Sequence, residues 1–237
     1  MRNESTAKPK PGGPRLFLDS ADTATWERLL PTGIFHGVTT NPLLLERAGV
    51  RCDVATLGGL ARRAAVLGAR EIHLQAWGDD EDALVRTGEA LAATAPGATA
   101  VLVKVPATVE GFRAAARLKA TGCAITLTAV YNPGQLLAAA ALGAAYAAPY
   151  LGRLDDAGRD GHATIGAMHE ILKGTGAATR LLVASLRGVE PITELARRGL
   201  DTFTFGPEVA AALVSDDLSD EAAAAFLAAA RRAGATG

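Results

Sequence analysis

Cysteine is nearly absent from this chain, and the residue types that usually bind metal ions are scattered along it. The two cysteines, Cys52 and Cys123, belong to no CxxC or Cys/His cluster. The four histidines show no HExxH or similar spacing. These absences argue against a disulfide framework and against a zinc site. We therefore expect reduced thiols, a cytoplasmic protein and no bound metal.

The chain also lacks a charge excess and an unbroken apolar run. Its formal net charge is −1, so the sequence favours neither a nucleic-acid partner nor an anionic membrane. The longest apolar run, residues 136–152, is mostly alanine and is broken by glycine and proline, which makes it a poor transmembrane candidate. The first residues are rich in proline and glycine and lack a signal-peptide core. We expect residues 1–14 to form a disordered tail.

Eight short apolar runs alternate with longer helical patterns, which predicts an α/β fold with parallel strands. The strand-like runs read RLFLDS, HGVTTN, EIHLQAW, AVLVKVP, AITLTAV, AAYAAPY, RLLVAS and DTFTFG. An open doubly wound sheet would also alternate, but no GxGxxG or GxxxxGK[ST] motif occurs. We therefore predict a single (β/α)₈ TIM barrel over residues 15–237, with an additional C-terminal helix in SDEAAAAFLAAARRAG.

Polar side chains stand at the ends of most predicted strands, where barrel enzymes carry their chemistry. Seven of the eight runs end on, or just before, a functional group, and the eighth shows none. The residues at these ends are Asp19, Thr40, Asn41, Gln75, Lys104, Thr128, Tyr150, Arg153, Ser185 and Arg187. Each one has an ordinary explanation, because loops begin at strand ends and loop residues are often polar. Seven strands that bring polar side chains to the same rim of the barrel favour a functional site.

Lys104 is the unusual member of this set, because it is the one lysine among the chain's five that interrupts a strand-like run. The alternation of a strand places it on the same face as Leu102 and opposite Val103 and Val105. One interpretation is a buried lysine paired with a carboxylate. The other is a desolvated amine that gives up its proton readily and forms a Schiff base with a carbonyl compound.

Arg153 and Arg187 stand beyond the sixth and seventh strands. Guanidinium groups bind phosphate through forked hydrogen bonds, and Ser185 could add a hydroxyl donor. The pair predicts a phosphorylated substrate, although two surface arginines among nineteen remain the alternative.

Several segments resemble the transaldolase family, in its short-chain branch that includes fructose-6-phosphate aldolase. They read LFLDSADTATW, GVTTNPLLL, VLVKVPATVEGFRAAARLKATG, TLTAVYNPGQLLAAAALGAAYAAPYLGRLDDAGRDG and LLVASLRG, and they occur in the family's order from about Leu16 to Gly206. The resemblance implies a (β/α)₈ barrel and a Schiff-base mechanism on sugar phosphates, with no metal or organic cofactor.

By resemblance, five positions carry the chemistry. Lys104 matches the Schiff-base lysine, and Asp19 matches the carboxylate that handles the substrate hydroxyl proton. Gln75 and Thr128 match positions that hold the catalytic water, and Tyr150 lies where a proton donor or acceptor would act on the bound intermediate.

The same resemblance assigns five residues to substrate binding. Thr40, Asn41 and Ser185 match groups around the dihydroxyacetone unit, while Arg153 and Arg187, with Ser185, match the phosphate-binding region. It also implies a homo-oligomer, a pentamer or decamer, as in relatives of the short branch.

Four functions are weighed at this point: an aldolase, a transaldolase, a deoxyribose-phosphate aldolase and a non-catalytic binding barrel. Gln75 and Tyr150 favour an aldolase-type site, because transaldolases proper tend to carry Glu and Phe there, whereas GRLDD after Tyr150 is closer to the short transaldolases. A deoxyribose-phosphate aldolase would usually show a second lysine-bearing strand. A non-catalytic sugar-phosphate-binding barrel would not need Asp19, Asn41, Lys104, Tyr150 and Ser185 together.

Overall fold

Parallel strands alternate with helices along the chain. The structure is a computed structural model that describes residues 13–235, so most of the expected tail lies outside the described residues. The strands in this range are β1 Arg15–Asp19, β2 Phe35–Thr39, β3 Glu71–Gln75, β4 Ala100–Pro106, β5 Ala124–Val130, β6 Tyr146–Pro149, β7 Arg180–Leu181, β8 Val183–Leu186 and β9 Thr202–Phe205. The helices are α1 Thr23–Leu29, α2 Pro42–Arg47, α3 Val54–Val66, α4 Glu81–Ala92, α5 Val109–Ala120, α6 Pro133–Leu142, α7 Leu151–Asp156, α8 Gly161–Thr175, α9 Val189–Arg197, α10 Pro207–Val214 and α11 Asp217–Arg232.

The sheet closes into a barrel through its seventh strand. The order is β7-β6-β5-β4-β3-β2-β1-β9-β8, and every pair in it is parallel. Only Leu182 separates β7 from β8. The first half of this strand pairs with β6 and the second half with β9. The nine assigned strands are therefore the eight strands of a (β/α)₈ barrel, and the predicted fold is confirmed.

Helix starts follow from short polar side chains placed just before them. Asn132 accepts a hydrogen bond from the backbone N–H of Gln135, whose side chain bonds back to the Asn132 N–H in a capping box. Pro133 opens α6, and Gly143 ends it with a positive φ of 72°. Asp53, Asp80 and other Asx and Thr residues cap further helices in the same way.

Strand alternation divides the buried side chains between the barrel interior and the layer under the helices. Val103 and Val105 belong to the large cluster that packs against the helices, whereas Leu102 packs inside the barrel with Phe17 and Tyr146. Lys104 shares the inward face with Leu102, as its sequence position predicts.

The floor of the barrel is polar. Glu71 at the start of β3 accepts hydrogen bonds from Arg15 Nη1 at 2.9 Å and Tyr146 Oη at 2.7 Å. Its oxygens lie 3.1 Å from His36 Nε2 and 3.4 Å from His73 Nε2. Burial alone would raise the pKa of Glu71, but these contacts outweigh it and hold that pKa well below its usual range. The lowered pKa means that the ionised carboxylate stabilises the folded state. This stabilisation is complete above the pH at which a glutamate of the unfolded chain titrates, and it is lost as the pH falls through the lowered pKa of Glu71.

The predicted C-terminal helix is present as α11, and none of its residues is buried. Leu218 and Phe226 on this helix are 74% and 73% exposed. Among residues 13–235, no helix combines the length and apolarity needed to cross a membrane.

Candidate active site

A cavity of about 430 Å³ opens at the C-terminal ends of the strands. Eight of the ten predicted site residues line it: Asp19, Asn41, Gln75, Lys104, Tyr150, Arg153, Ser185 and Arg187. The other two touch residues of the site directly, because Thr40 contacts Lys104 and Thr128 contacts Tyr150. Side chains spread over 169 positions of sequence thus meet at one end of the barrel.

Lys104 lies at the bottom of the cavity, with its side chain directed inward from β4. The residue is 5% exposed, and its Nζ donates a hydrogen bond to the Thr40 carbonyl oxygen at 2.8 Å. No carboxylate of residues 13–235 forms an ion pair with it. The described residues thus show no direct ion pair of the kind that the alternative interpretation requires, and Lys104 acts on Asp19 only through its nearby charge.

Asp19 ends β1 beside the same cavity and is partly buried. Its Oδ1 accepts a hydrogen bond from Thr39 Oγ1 at 2.6 Å. Burial raises the pKa of the Asp19 carboxyl, and the nearby Lys104 charge and the Thr39 hydrogen bond oppose that effect without cancelling it. A carboxylate in such surroundings gains a proton more readily than one in water.

Tyr150 directly follows β6, lines the cavity and points toward the neighbouring strand β5. Its hydroxyl lies 2.7 Å from Thr128 Oγ1, and its ring meets the Tyr131 ring edge-on with centroids 5.8 Å apart. Gln75 ends β3 in register with Lys104 on the neighbouring strand. The phenol and the amide form the polar wall on the β3–β6 side, and the Thr128 hydroxyl supports the phenol from behind.

Asn41 and Thr40 follow β2, and hydrogen bonds to backbone groups fix both side chains. Asn41 Oδ1 accepts the Leu44 N–H at 3.0 Å and so caps α2. Thr40 is fully buried, and its hydroxyl donates to the His73 carbonyl oxygen at 3.3 Å. What Thr40 presents to the site is its backbone oxygen, not its side chain.

The cationic end of the cavity lies between α7 and β8. Arg187 forms a forked ion pair with Asp156, with Nη1 2.8 Å from Oδ1, and this pairing raises the pKa of the guanidinium.

The backbone beside this pair is unusual at Ser185, which has a φ of 57° that non-glycine residues rarely adopt. A Cβ at Gly152 would stand 2.7 Å from the Ser185 carbonyl oxygen, so only glycine lets α7 approach this closely.

Sequence reasoning missed three polar residues of this site. Thr39 and Thr204 line the cavity from β2 and β9, so the prediction that the eighth strand brings no functional group is wrong. The alternation of DTFTF, which places Thr202 and Thr204 on one face, was the available signal. Arg47 lines the cavity from α2, a helix of only six residues, which is too short to show a helical period in the sequence.

The chain is similar in sequence to known proteins over nearly its whole length. The profile of the family described as transaldolase/fructose-6-phosphate aldolase matches residues 16–236. A protein of Hyphomonas neptunium named "Probable transaldolase" is 33% identical over 220 residues, covering 93% of this chain and 98% of that protein. A protein of the same name from Exiguobacterium sibiricum is 34% identical over 214 residues, covering 90% and 96%.

A solved structure supports the fold alone. The crystal structure of dihydrodipicolinate synthase from Rhodopseudomonas palustris aligns with a TM-score of 0.57 at 14% identity, covering 92% of this chain and 79% of that one. The curated relatives, by contrast, match nearly end to end, as the family profile does. This chain therefore belongs to the transaldolase/fructose-6-phosphate aldolase family.

Proposed function

We propose that this protein is a Schiff-base enzyme of the cytoplasm that cleaves ketose phosphates between C3 and C4 and releases or transfers the dihydroxyacetone unit. The observation that carries the proposal is the Lys104 amine, which faces a cavity from inside the barrel and has no carboxylate partner among the described residues. An amine of this kind is suited to attack a carbonyl carbon.

The proposed reaction begins when Lys104 Nζ adds to the C2 carbonyl and water leaves, which gives an iminium ion. Asp19 then takes the proton of the C4 hydroxyl, and the electron pair of the C3–C4 bond moves into the iminium. An aldehyde phosphate departs with Arg153 and Arg187 near its anionic end. A three-carbon enamine stays on Lys104, and its fate decides between two activities.

Release and transfer are both chemically open to this enamine. Protonation followed by hydrolysis frees dihydroxyacetone, whereas attack on an aldose phosphate forms a new sugar phosphate. The Gln75 and Tyr150 pair favours release, since a phenol 2.7 Å from the Thr128 hydroxyl can deliver a proton. The names of the curated relatives favour transfer.

Product analysis by mass spectrometry tests the proposal. The purified protein is supplied with fructose 6-phosphate alone and with an aldose phosphate acceptor. Free dihydroxyacetone without acceptor identifies an aldolase, and a new ketose phosphate that requires the acceptor identifies a transaldolase. Substrate binding without either product would identify a non-catalytic barrel and refute the proposal.

Tyr150→Phe is expected to shift the balance from release toward transfer by about tenfold, because the variant loses the hydroxyl that protonates the enamine. The measurement is the ratio of freed dihydroxyacetone to transferred product at a fixed acceptor concentration. Tyr131→Phe is the matched control, since its ring packs edge-on against Tyr150 and it lies outside the lining of the active-site cavity. An unchanged ratio in Tyr150→Phe would contradict the role.

We also propose that the protein is a homo-oligomer, a pentamer or decamer, with α11 at a subunit contact. Val214, Leu218 and Phe226 are 66%, 74% and 73% exposed on or next to this helix, which is unusual for large apolar side chains.

Phe226→Glu is expected to lower the mass measured by light scattering, because burying a charge in a contact is unfavourable. Val66→Glu, at an equally exposed site on α3, is the control. A Phe226→Glu protein of wild-type mass would place the contact elsewhere.

A further inference from the structure

Three side chains, two buried threonines and the partly buried Asp19, form a continuous hydrogen-bonded chain across β1, at the wall of the cavity. Thr39 Oγ1 lies 2.6 Å from Asp19 Oδ1 and 2.6 Å from Thr204 Oγ1. Thr39 is fully buried and Thr204 is 3% exposed. The strands β2 and β9 flank β1 on opposite sides, so the two hydroxyls meet on the inner side of β1.

The direction of these hydrogen bonds follows from counting protons. An ionised Asp19 carboxylate can only accept, so the single Thr39 hydroxyl proton is the one donated to it. The contact between the two threonines then requires Thr204 to donate to Thr39 Oγ1. Both hydroxyl protons thus point toward Asp19, and each bond polarises the next.

We propose that Thr204 is a positioning residue that acts through Thr39 to keep the Asp19 carboxylate ionised and turned toward the cavity, ready to accept the substrate proton. The inference rests on the proposed role of Asp19 in carbon–carbon bond cleavage. Thr204 contacts the Thr39 hydroxyl, so it acts on Asp19 indirectly and is not itself a catalytic residue.

The electrostatics of Asp19 support this role. Burial raises the pKa of Asp19, while the Lys104 charge on β4 and the Thr39 hydrogen bond lower it. Other titratable or charged groups face the same cavity: Arg47 from α2, Tyr150 after β6, Arg153 from α7 and Arg187 after β8. These groups stay in place when Thr204 is changed. Weakening the Thr39 donor therefore raises the pKa of Asp19 and leaves the surrounding charges as they were.

The direction of the pH effect follows from the role of a base. Asp19 must be ionised to accept a proton, so activity falls as the pH drops through its pKa. Raising that pKa moves the acidic limb of the pH profile of kcat/KM to higher pH. A residue that merely filled space would lower activity without moving this limb.

The test compares Thr204→Val, which replaces the hydroxyl by a methyl group, with Thr204→Ser, which keeps it. In Thr204→Val we expect kcat for cleavage of fructose 6-phosphate to fall about tenfold near neutral pH, with KM within about twofold of wild type. We expect the acidic limb to move upward, and Thr204→Ser to restore both the rate and the limb. Should Thr204→Val fail to fold, Thr204→Cys takes its place, because its thiol keeps the size and is a weak donor.

Thr202→Val is the matched control on the same face of β9. Thr202 is fully buried, and its hydroxyl donates to Asp201 at 2.7 Å, on the floor side of the barrel. Loss of that hydroxyl is expected to lower the thermal unfolding midpoint and to leave the pH profile unchanged. A shifted limb in Thr202→Val would show that any buried hydroxyl of β9 has this effect, which would overturn the inference.

Borohydride trapping separates failure of this inference from failure of the proposed function. A wild-type protein that traps no covalent adduct with fructose 6-phosphate refutes the Schiff-base function itself. A Thr204→Val protein that traps the adduct normally and keeps the wild-type limb overturns the role of Thr204 alone. A rate loss that is equal at every pH also overturns it, because the residue would then be only structural.

Discussion

Lys104→Met is expected to lower kcat/KM for cleavage of fructose 6-phosphate by at least about 10⁴-fold, because no other lysine of residues 13–235 lines the cavity to form the iminium on which bond cleavage depends. Methionine has a similar length and no charge, so the variant keeps the packing of the interior. The measurements are kcat/KM and the intact mass after borohydride reduction in the presence of substrate. We expect no mass increase in the variant.

A surface lysine supplies the control for this experiment. Lys173 on α8 is exposed and pairs with Glu170 at 3.2 Å. Lys173→Met is expected to retain both the activity and the trapped adduct. A Lys104→Met protein that still gains the mass of the reduced substrate would remove the basis of the proposed mechanism. If Lys104→Met unfolds at the same temperature as the wild type, the loss of activity comes from the missing amine and not from a damaged fold.

Asp19→Asn is expected to separate the two halves of the reaction. The amide keeps the size of the carboxylate but cannot accept the proton of the C4 hydroxyl, so cleavage should slow by about 10²- to 10⁴-fold. Lys104 keeps its Thr40 hydrogen bond and should still form the adduct. The measurements are kcat for aldehyde release and the yield of the borohydride-trapped intermediate.

Asp22 offers the comparison for Asp19→Asn. It stands three residues further on and accepts the backbone N–H groups of Ala24 and Thr25 as the cap of α1. Asp22→Asn keeps one acceptor oxygen as a helix cap and should leave kcat near wild type. Wild-type cleavage by the Asp19→Asn protein would assign the base to another group. Loss of trapping as well as cleavage would give Asp19 a role in forming the adduct.

Strand periodicity is the part of the sequence from which this fold could be predicted. Eight apolar runs with helices between them leave few arrangements other than a closed parallel barrel, and the strands found lie within the predicted runs or extend them by one residue. The same alternation places Lys104 beside Leu102 on the inward face, with Val103 and Val105 behind it. Local pattern was sufficient because each strand is buried on both faces.

The contacts that tune the site could not be predicted in the same way. Thr39 and Thr204 meet across β1 from positions 165 residues apart, and no local pattern reports such a distance. Asp156 reaches Arg187 from a helix of six residues that is too short to show a helical period. The polar floor around Glu71 likewise depends on which strand starts become neighbours when the barrel closes.

The forked pair of Arg187 and Asp156 has a consequence for selectivity. An anion that takes the same forked pair of N–H groups on Arg187 must exchange places with the Asp156 carboxylate, so its affinity reflects the difference between two anions. A phosphate monoester with its second proton lost, above about pH 6, brings two negative charges against the single charge of Asp156. A carboxylate or sulfate monoester analogue brings only one. In the proposed reaction the resident carboxylate would therefore compete with the bound anion, disfavour monoanions and hasten the departure of a phosphorylated product.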